Sequence, residues 1–305
     1  MGHGHVHGPA TAAGGQRRRL ALVLGLTLAV LVAEVVGAAL TGSLALLADA
    51  GHMATDAAGI ALALGAVGLA QRPPGGRRTF GWQRLEILAA VANGLLLIAV
   101  AVFVLVQAVR RIGNPPEVDS GPMLVIAGVG LAVNLVALAV LHQGRTTSLN
   151  VRGAYLEVLA DALGSVAVVV AALVIAATGW TPADTVASLL IGCLVVPRAW
   201  HLLREALDVL LEAAPRGVDM AQVRSHILGV DGVVGVHDLH AWTITSGLPV
   251  LSAHVVVTDE ALDAGHGGRV LDALCECLGS HFDVAHCTFQ LESGAHAGHE
   301  SPVHD

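Results

Sequence analysis

Six runs of roughly twenty apolar residues follow one another along this chain, at about residues 20–40, 44–70, 86–109, 122–142, 153–178 and 184–204. Twenty helical residues rise about 30 Å, the thickness of a bilayer's hydrocarbon core. A lipid-exposed segment also has to satisfy its own backbone polar groups, which leaves helices or closed barrels as the only solutions. The expected fold is therefore an α-helical membrane protein with a six-helix transmembrane bundle. Composition agrees: 13% of the 305 residues are charged and 54% hydrophobic, where a soluble domain has about 25% charged residues. The breaks carry turn chemistry, in TGS, QRPPGGRRTFG, RIGNPPEVDSGP, QGRTTSLNVRG and TGWTPAD. The first run is too long for a signal-peptide core and reads as a span.

Arginines set the expected orientation. Arg17, Arg18 and Arg19 precede the first span, and Arg72, Arg77, Arg78 and Arg84 fill the second loop. Arg145 and Arg152 lie in the fourth loop, and Arg198 and Arg204 near the exit of the sixth span. The positive-inside rule then puts both termini in the cytoplasm; Arg110 and Arg111 are the one discordant pair. No basic patch with interleaved aromatics suggests nucleic acid. After about residue 209 the composition changes. Helical and strand patterns alternate in the order αββαβ, which implies a small cytosolic α/β domain over 209–292. The boundaries expected are a His-containing tail at 1–19, the membrane domain at 20–208, the α/β domain, and a flexible His-containing tail at 293–305. Cys193, Cys275, Cys277 and Cys287 fit no disulfide or zinc-finger spacing.

One stretch contradicts its apolar setting. LLADAGHMATDAAG carries Asp49, His52 and Asp56 at i, i+3 and i+7, one face of a helix. A charge at bilayer depth costs on the order of 3 kcal/mol even on the lenient insertion scale, so such a stripe needs partners or a function. The fifth span offers the partners: in AYLEVLADALGS, Glu157 and Asp161 share a face at i and i+4. His52, Asp56, Glu157 and Asp161 thus form a candidate four-ligand site for a divalent borderline metal such as Zn²⁺. The competing reading, helix–helix hydrogen bonding, is weaker for two matched pairs than for one isolated polar residue. Asp49 is either a helix-end polar contact or an acid on the exit path.

From about Leu20 to Glu292 the sequence resembles the cation diffusion facilitators, zinc-type metal/proton antiporters. The resemblance rests on GSLALLADAGHMATDA, FGWQRLEILAA, NVRGAYLEVLADALGSV and VHDLHAWTITSG. It implies a ferredoxin-like C-terminal domain, a homodimer, and export of Zn²⁺ or a similar ion (Cd, Co, Fe or Mn) from the cytoplasm in exchange for protons. A bacterial plasma (inner) membrane is the expected location. It further implies a charge interlock between Arg84 and Glu212, and a cytosolic metal site resembling His237, His254 and His286, which fall on three strands. His237 and His240 should point to opposite faces unless a bulge intervenes. His3, His5, His7, His296, His299 and His304 lie in flexible tails that read as solvated low-complexity sequence or as weak metal capture near the pore.

The chain departs from that family's pattern at Glu157, where zinc-type members usually have histidine, or aspartate in some. With all three carboxylates ionised the four groups total −3, so a divalent ion would leave −1. One carboxylate is then expected to keep or regain its proton when metal binds, and the harder oxygen to broaden selectivity away from strict zinc. No phosphate loop and no HExxH helix is present. ATP-driven transport and an intramembrane metalloenzyme are therefore disfavoured, as is a non-transporting metal sensor, given the paired intramembrane acids.

Overall fold

The computed structural model of the chain describes residues 10–70, 72–113, 115–142, 149–245, 247–262, 266–282, 284 and 286–299. His3, His5, His7, His304 and Arg145 lie outside them, and of the side chains of Arg17, Arg18, Arg19 and Arg152 nothing is described. Six long helices come first: α1 (Ala10–Thr41), α2 (Leu44–Ala70), α3 (Leu85–Arg111), α4 (Ser120–His142), α5 (Leu149–Thr178) and α6 (Pro182–Leu210). Among the described residues, five of them carry a stretch long and apolar enough to cross a membrane; α2, which bears Asp49, His52 and Asp56, is not one of the five. The chain divides into two compact units, Met1–Leu62 with Ala92–Leu202, and Ala63–Val91 with Leu203–Asp305.

In the first unit, α4 packs against α5 and α1. The core is built of small side chains, among them Ala38, Ala45, Ala48, Ala127, Ala171 and Ala172, around Leu46, Met123 and Val168. Small residues let membrane helices approach closely, which is how they gain packing energy where lipid removes the hydrophobic drive. Gly37 is one such contact: a Cβ there would stand 2.5 Å from Ile126 Cδ1. Outward, Phe103, Val129, Val136, Leu163 and Val170 are exposed, as lipid-facing positions require.

The turn between α1 and α2 is held by a polar cluster. Gly42 adopts φ +70°, a conformation that costs glycine little. Ser43 Oγ accepts from Leu46 N at 3.1 Å and so caps α2. Asp184, in the first turn of α6 and 1% exposed, accepts from Leu44 N (2.8 Å), Ala45 N (3.1 Å) and Ser43 Oγ (2.5 Å). Arg111 Nη1 donates to Gly42 O at 2.9 Å and lies 3.5 Å from Asp184 Oδ2. The discordant arginine thus has a structural post: it answers a buried carboxylate and a helix-end carbonyl.

The second unit contains an α/β domain: α7 (Met220–Leu228), β1 (Val233–Thr243), β2 (Pro249–Val257), α8 (Asp259–Leu262), α9 (His266–Phe282), β3 (His286–Glu292) and α10 (Gly294–Ala297). This is the expected αββαβ order with two single-turn helices added. The sheet runs β1-β2-β3, with β1 antiparallel and β3 parallel to β2. Val223 and Ile227 of α7 and Val270, Leu274 and Leu278 of α9 cover Val236, Leu251, Ala253 and Val255 of the sheet. Asp219 caps α7 through Ala221 N. The tail read as flexible begins with structure: Ser293 caps α10 by accepting from His296 N.

Candidate functional site

Helix α2 brings His52 and Asp56 to one face, one turn apart, and α5 brings Asp161 to meet them. His52 Nε2 lies 3.5 Å from Asp56 Oδ2 and 3.6 Å from Asp161 Oδ1. Zinc bonds of about 2.0–2.1 Å in tetrahedral geometry set neighbouring ligand atoms roughly 3.3 Å apart, so the three groups nearly outline one face of such a site. The same three residues form a cluster in which one ligand atom from each lies within 4.8 Å of the others. His52 and Asp161 are buried, and Asp161 Oδ1 has no hydrogen-bond partner among the described residues. A buried acceptor left that way costs free energy; a cation between these atoms would satisfy it.

Glu157, expected as the fourth member, is not in this triad. Its Oε1 lies 2.6 Å from Nη2 of Arg198, on α6. The guanidinium also reaches Asp56, with Nη2 at 3.4 Å from Oδ1 and Nη1 at 3.5 Å from Oδ2. Nη1 lies 3.2 Å from His52 Nε2. Arginine has no acceptor, so in this contact Nε2 offers its lone pair and the imidazole is neutral. The reason for the displacement is electrostatic: a third carboxylate beside Asp56 and Asp161 takes the nearest cation. By sequence Arg198 belongs to the charged exit of the sixth span; the local signal of its role is that it interrupts an apolar helix, directly after Pro197.

Asp49 lies a turn nearer the start of α2 and is 1% exposed, with Ser165 Oγ donating to its Oδ2 at 3.4 Å and Asn134 Nδ2 donating to Ser165 Oγ at 3.3 Å. It is a buried polar contact between α2, α5 and α4. Glu34 of α1, also 1% exposed, approaches the same helices beside Gly130; its sequence signal is an acid inside the first apolar run.

The second unit holds another cluster. His237 and His254 are cross-strand partners on β1 and β2, with ring centroids 5.2 Å apart. Their third partner is Glu292, 3% exposed at the end of β3. His237 Nε2 hydrogen-bonds Glu292 Oε1, and His254 Nδ1 lies 3.9 Å from Oε2. His286, expected in this place, is not brought to it. The parallel register sets it opposite Val250 and sets Glu292 opposite Val256, two residues from His254 and on the same face. His286 instead meets Phe80 edge-on at 6.0 Å. A bulge does fall between His237 and His240, where Asp238 takes φ +48°. Asp238 then lies 2.9 Å from His240 and 3.8 Å from His254. From the tail, His296 Nε2 comes to 4.0 Å from Glu292 Oε2. Cys287 is a poor thiolate candidate: burial, helped by Cys275, pushes its thiol up. Arg84 and Glu212 do meet, with Nη2 to Oε1 at 2.8 Å, both largely exposed.

A helical membrane domain with a buried His–Asp–Asp cluster, followed by an α/β domain with its own His–His–Glu cluster, is the outline of a metal transporter. The comparisons agree. The cation efflux transmembrane domain matches residues 20–211, and the cation efflux protein cytoplasmic domain matches residues 215–294. The chain is 47% identical over 292 residues to the cation efflux system protein CzcD of Alcaligenes sp. (strain CT14), covering 96% of this chain and 90% of that one. It is 41% identical to zinc transporter ZitB of Escherichia coli (strain K12), covering 96% and 93%. It is 40% identical to the cadmium, cobalt and zinc/H(+)-K(+) antiporter of Bacillus velezensis (strain DSM 23117 / BGSC 10A6 / LMG 26770 / FZB42), covering 99% and 95%. The chain belongs to the cation diffusion facilitator family and is an integral membrane protein of metal efflux.

Proposed function

We propose that the protein exports Zn²⁺, or a similar divalent ion, from the cytoplasm in exchange for protons, by alternating access around the intramembrane triad. His52, Asp56 and Asp161 bind the ion as substrate. The observation that carries this reading is the pair of 3.5 and 3.6 Å separations about His52 Nε2, close to the edge of a zinc coordination shell. One imidazole and two carboxylates suit zinc first and admit Cd²⁺, Co²⁺, Fe²⁺ and Mn²⁺. These ligands bind metal only when deprotonated, so protons arriving from the far side compete for the same atoms and release the ion. The names of the E. coli and B. velezensis relatives support zinc and proton exchange. The reading includes a homodimer in a bacterial plasma membrane with both termini in the cytoplasm, and a second zinc ion held by His237, His254 and Glu292.

Proteoliposomes carrying a pH gradient test it. The wild type should accumulate Zn²⁺ only when the gradient is present. Asp56→Ala and Asp161→Ala should each reduce uptake by more than about 100-fold, because losing even a residue behind a metal ligand typically costs about 10–100-fold. Near-normal uptake by either folded variant would refute the site.

A further inference from the structure

Three carboxylates and a neutral imidazole sum to −3, one more than a divalent ion neutralises. Arg198 changes that sum to −2. Its guanidinium contacts Glu157 at 2.6 Å, Asp56 at 3.4 and 3.5 Å, and His52 Nε2 at 3.2 Å, and it is the basic side chain paired with this cluster among the described residues. The contacts are not equivalent. The one to Glu157 is shortest and joins two partly exposed groups, 38% and 34%. The one to His52 uses the lone pair that a metal would use, so a bound ion and Arg198 exclude one another there. A metal entering between His52, Asp56 and Asp161 therefore displaces Arg198 from His52 and leaves it on Glu157.

We propose that Arg198 is a built-in counter-charge that withholds Glu157 from the metal. His52, Asp56 and Asp161 are then the protein ligands with a summed charge of −2, and Glu157 and Arg198 cancel each other beside them. The inference rests on the proposed transport function and names the residue that sets its charge matching and metal ranking. Without Arg198, Glu157 is free to become a fourth, oxygen ligand, binding metals more tightly, releasing them more slowly, and favouring oxygen-preferring ions such as Mn²⁺. Without Glu157, an unpaired guanidinium faces the incoming cation and weakens binding.

The test is a double-mutant cycle on the full-length protein in proteoliposomes, reading the apparent KM for Zn²⁺, the maximal rate and the Mn²⁺/Zn²⁺ uptake ratio. Arg198→Gln should lower KM and the maximal rate together and raise the Mn²⁺/Zn²⁺ ratio. Glu157→Gln should raise KM. Shifts of about tenfold are expected for residues in direct contact. Combining the two should return KM to within about threefold of wild type, a cancellation that mere loss of packing does not produce. Single variants that move KM in the same direction, a double variant worse than either, or an unchanged Glu157→Gln would overturn the proposal while leaving metal export intact. Should Arg198→Gln not reach the membrane, Arg198→Lys and Glu157→Gln decide: the first keeps KM near wild type, the second raises it, and any other pattern overturns it. A wild-type chain that moves no divalent ion overturns the transport reading, and this inference with it.

Discussion

At the scale of single residues, the side chains that complete each candidate metal cluster are acids whose partners come from elsewhere in the chain. Glu292 is the clearest case. It is 3% exposed, yet it faces His237, His254 and His296. A buried carboxylate is retained where something pairs with it. Glu292→Gln is therefore expected to lower zinc affinity at the second cluster by about tenfold or more, while His286→Ala leaves it unchanged; the expected loss is comparable to removing a neighbour of a metal ligand. Calorimetry on the detergent-solubilised full-length protein, with Asp161→Ala present to silence the membrane triad, measures it. An affinity loss with His286→Ala equal to that with Glu292→Gln would return His286 to the ligand set. Helical periodicity made His52, Asp56 and Asp161 legible, because residues three and four apart share a face. Neither Glu292 nor Arg198 is marked by any local period. One owes its place to parallel strand register and the other to the packing of α6, and both depend on partners far along the chain.

At the scale of elements, hydropathy and turn residues located all six long helices to within a few residues, except that α1 begins well before its apolar run and α6 continues past its own. The first extension carries Arg17, Arg18 and Arg19 and the second Glu205 and Asp208, and these charges end the apolar run before the helix itself ends. What holds an element in place was less visible. The start of α2 depends on Asp184, which takes two of its backbone N–H groups and the Ser43 hydroxyl. Leaving such groups unsatisfied away from water costs several kcal/mol, and a lost cap alone costs about 1 kcal/mol. Asp184→Ala should thus destabilise the folded protein by roughly 2–4 kcal/mol, and Asp184→Asn, which keeps an acceptor, by less. Thermal unfolding in detergent, followed by circular dichroism, gives the order; equal losses would mean that charge rather than acceptance at α2 is what counts. The Arg84–Glu212 pair is different in kind. Both groups are largely exposed, and such pairs contribute only about 0–1 kcal/mol, so its removal should leave the melting temperature almost unmoved.

For the whole molecule, the two compact units each contain one candidate metal cluster. A ligand that binds only the folded state stabilises it by mass action, by about 2.7 kcal/mol at a concentration 100 times its Kd. Zinc should accordingly raise the melting temperature of the wild type. Asp161→Ala and Glu292→Gln should each remove part of that rise, and the double variant nearly all of it. If the double variant is still stabilised as strongly as the wild type, zinc is acting elsewhere, and His3, His5, His7, His299 and His304 become the residues to test.

The fastening of Leu44 and Ala45 to Asp184 has a mechanical consequence. It makes the start of α2 a fulcrum shared with α6, and at 1.5 Å per residue His52 sits about 12 Å along the lever and Asp56 about 18 Å. A tilt of roughly 10° about that end would carry His52 about 2 Å sideways and Asp56 about 3 Å. A displacement of that size is comparable to a metal–ligand bond. On the proposed alternating-access mechanism, opening and closing the triad would require no unwinding of α2 and no broken cap, only a small rotation about a pinned end, amplified by helix length.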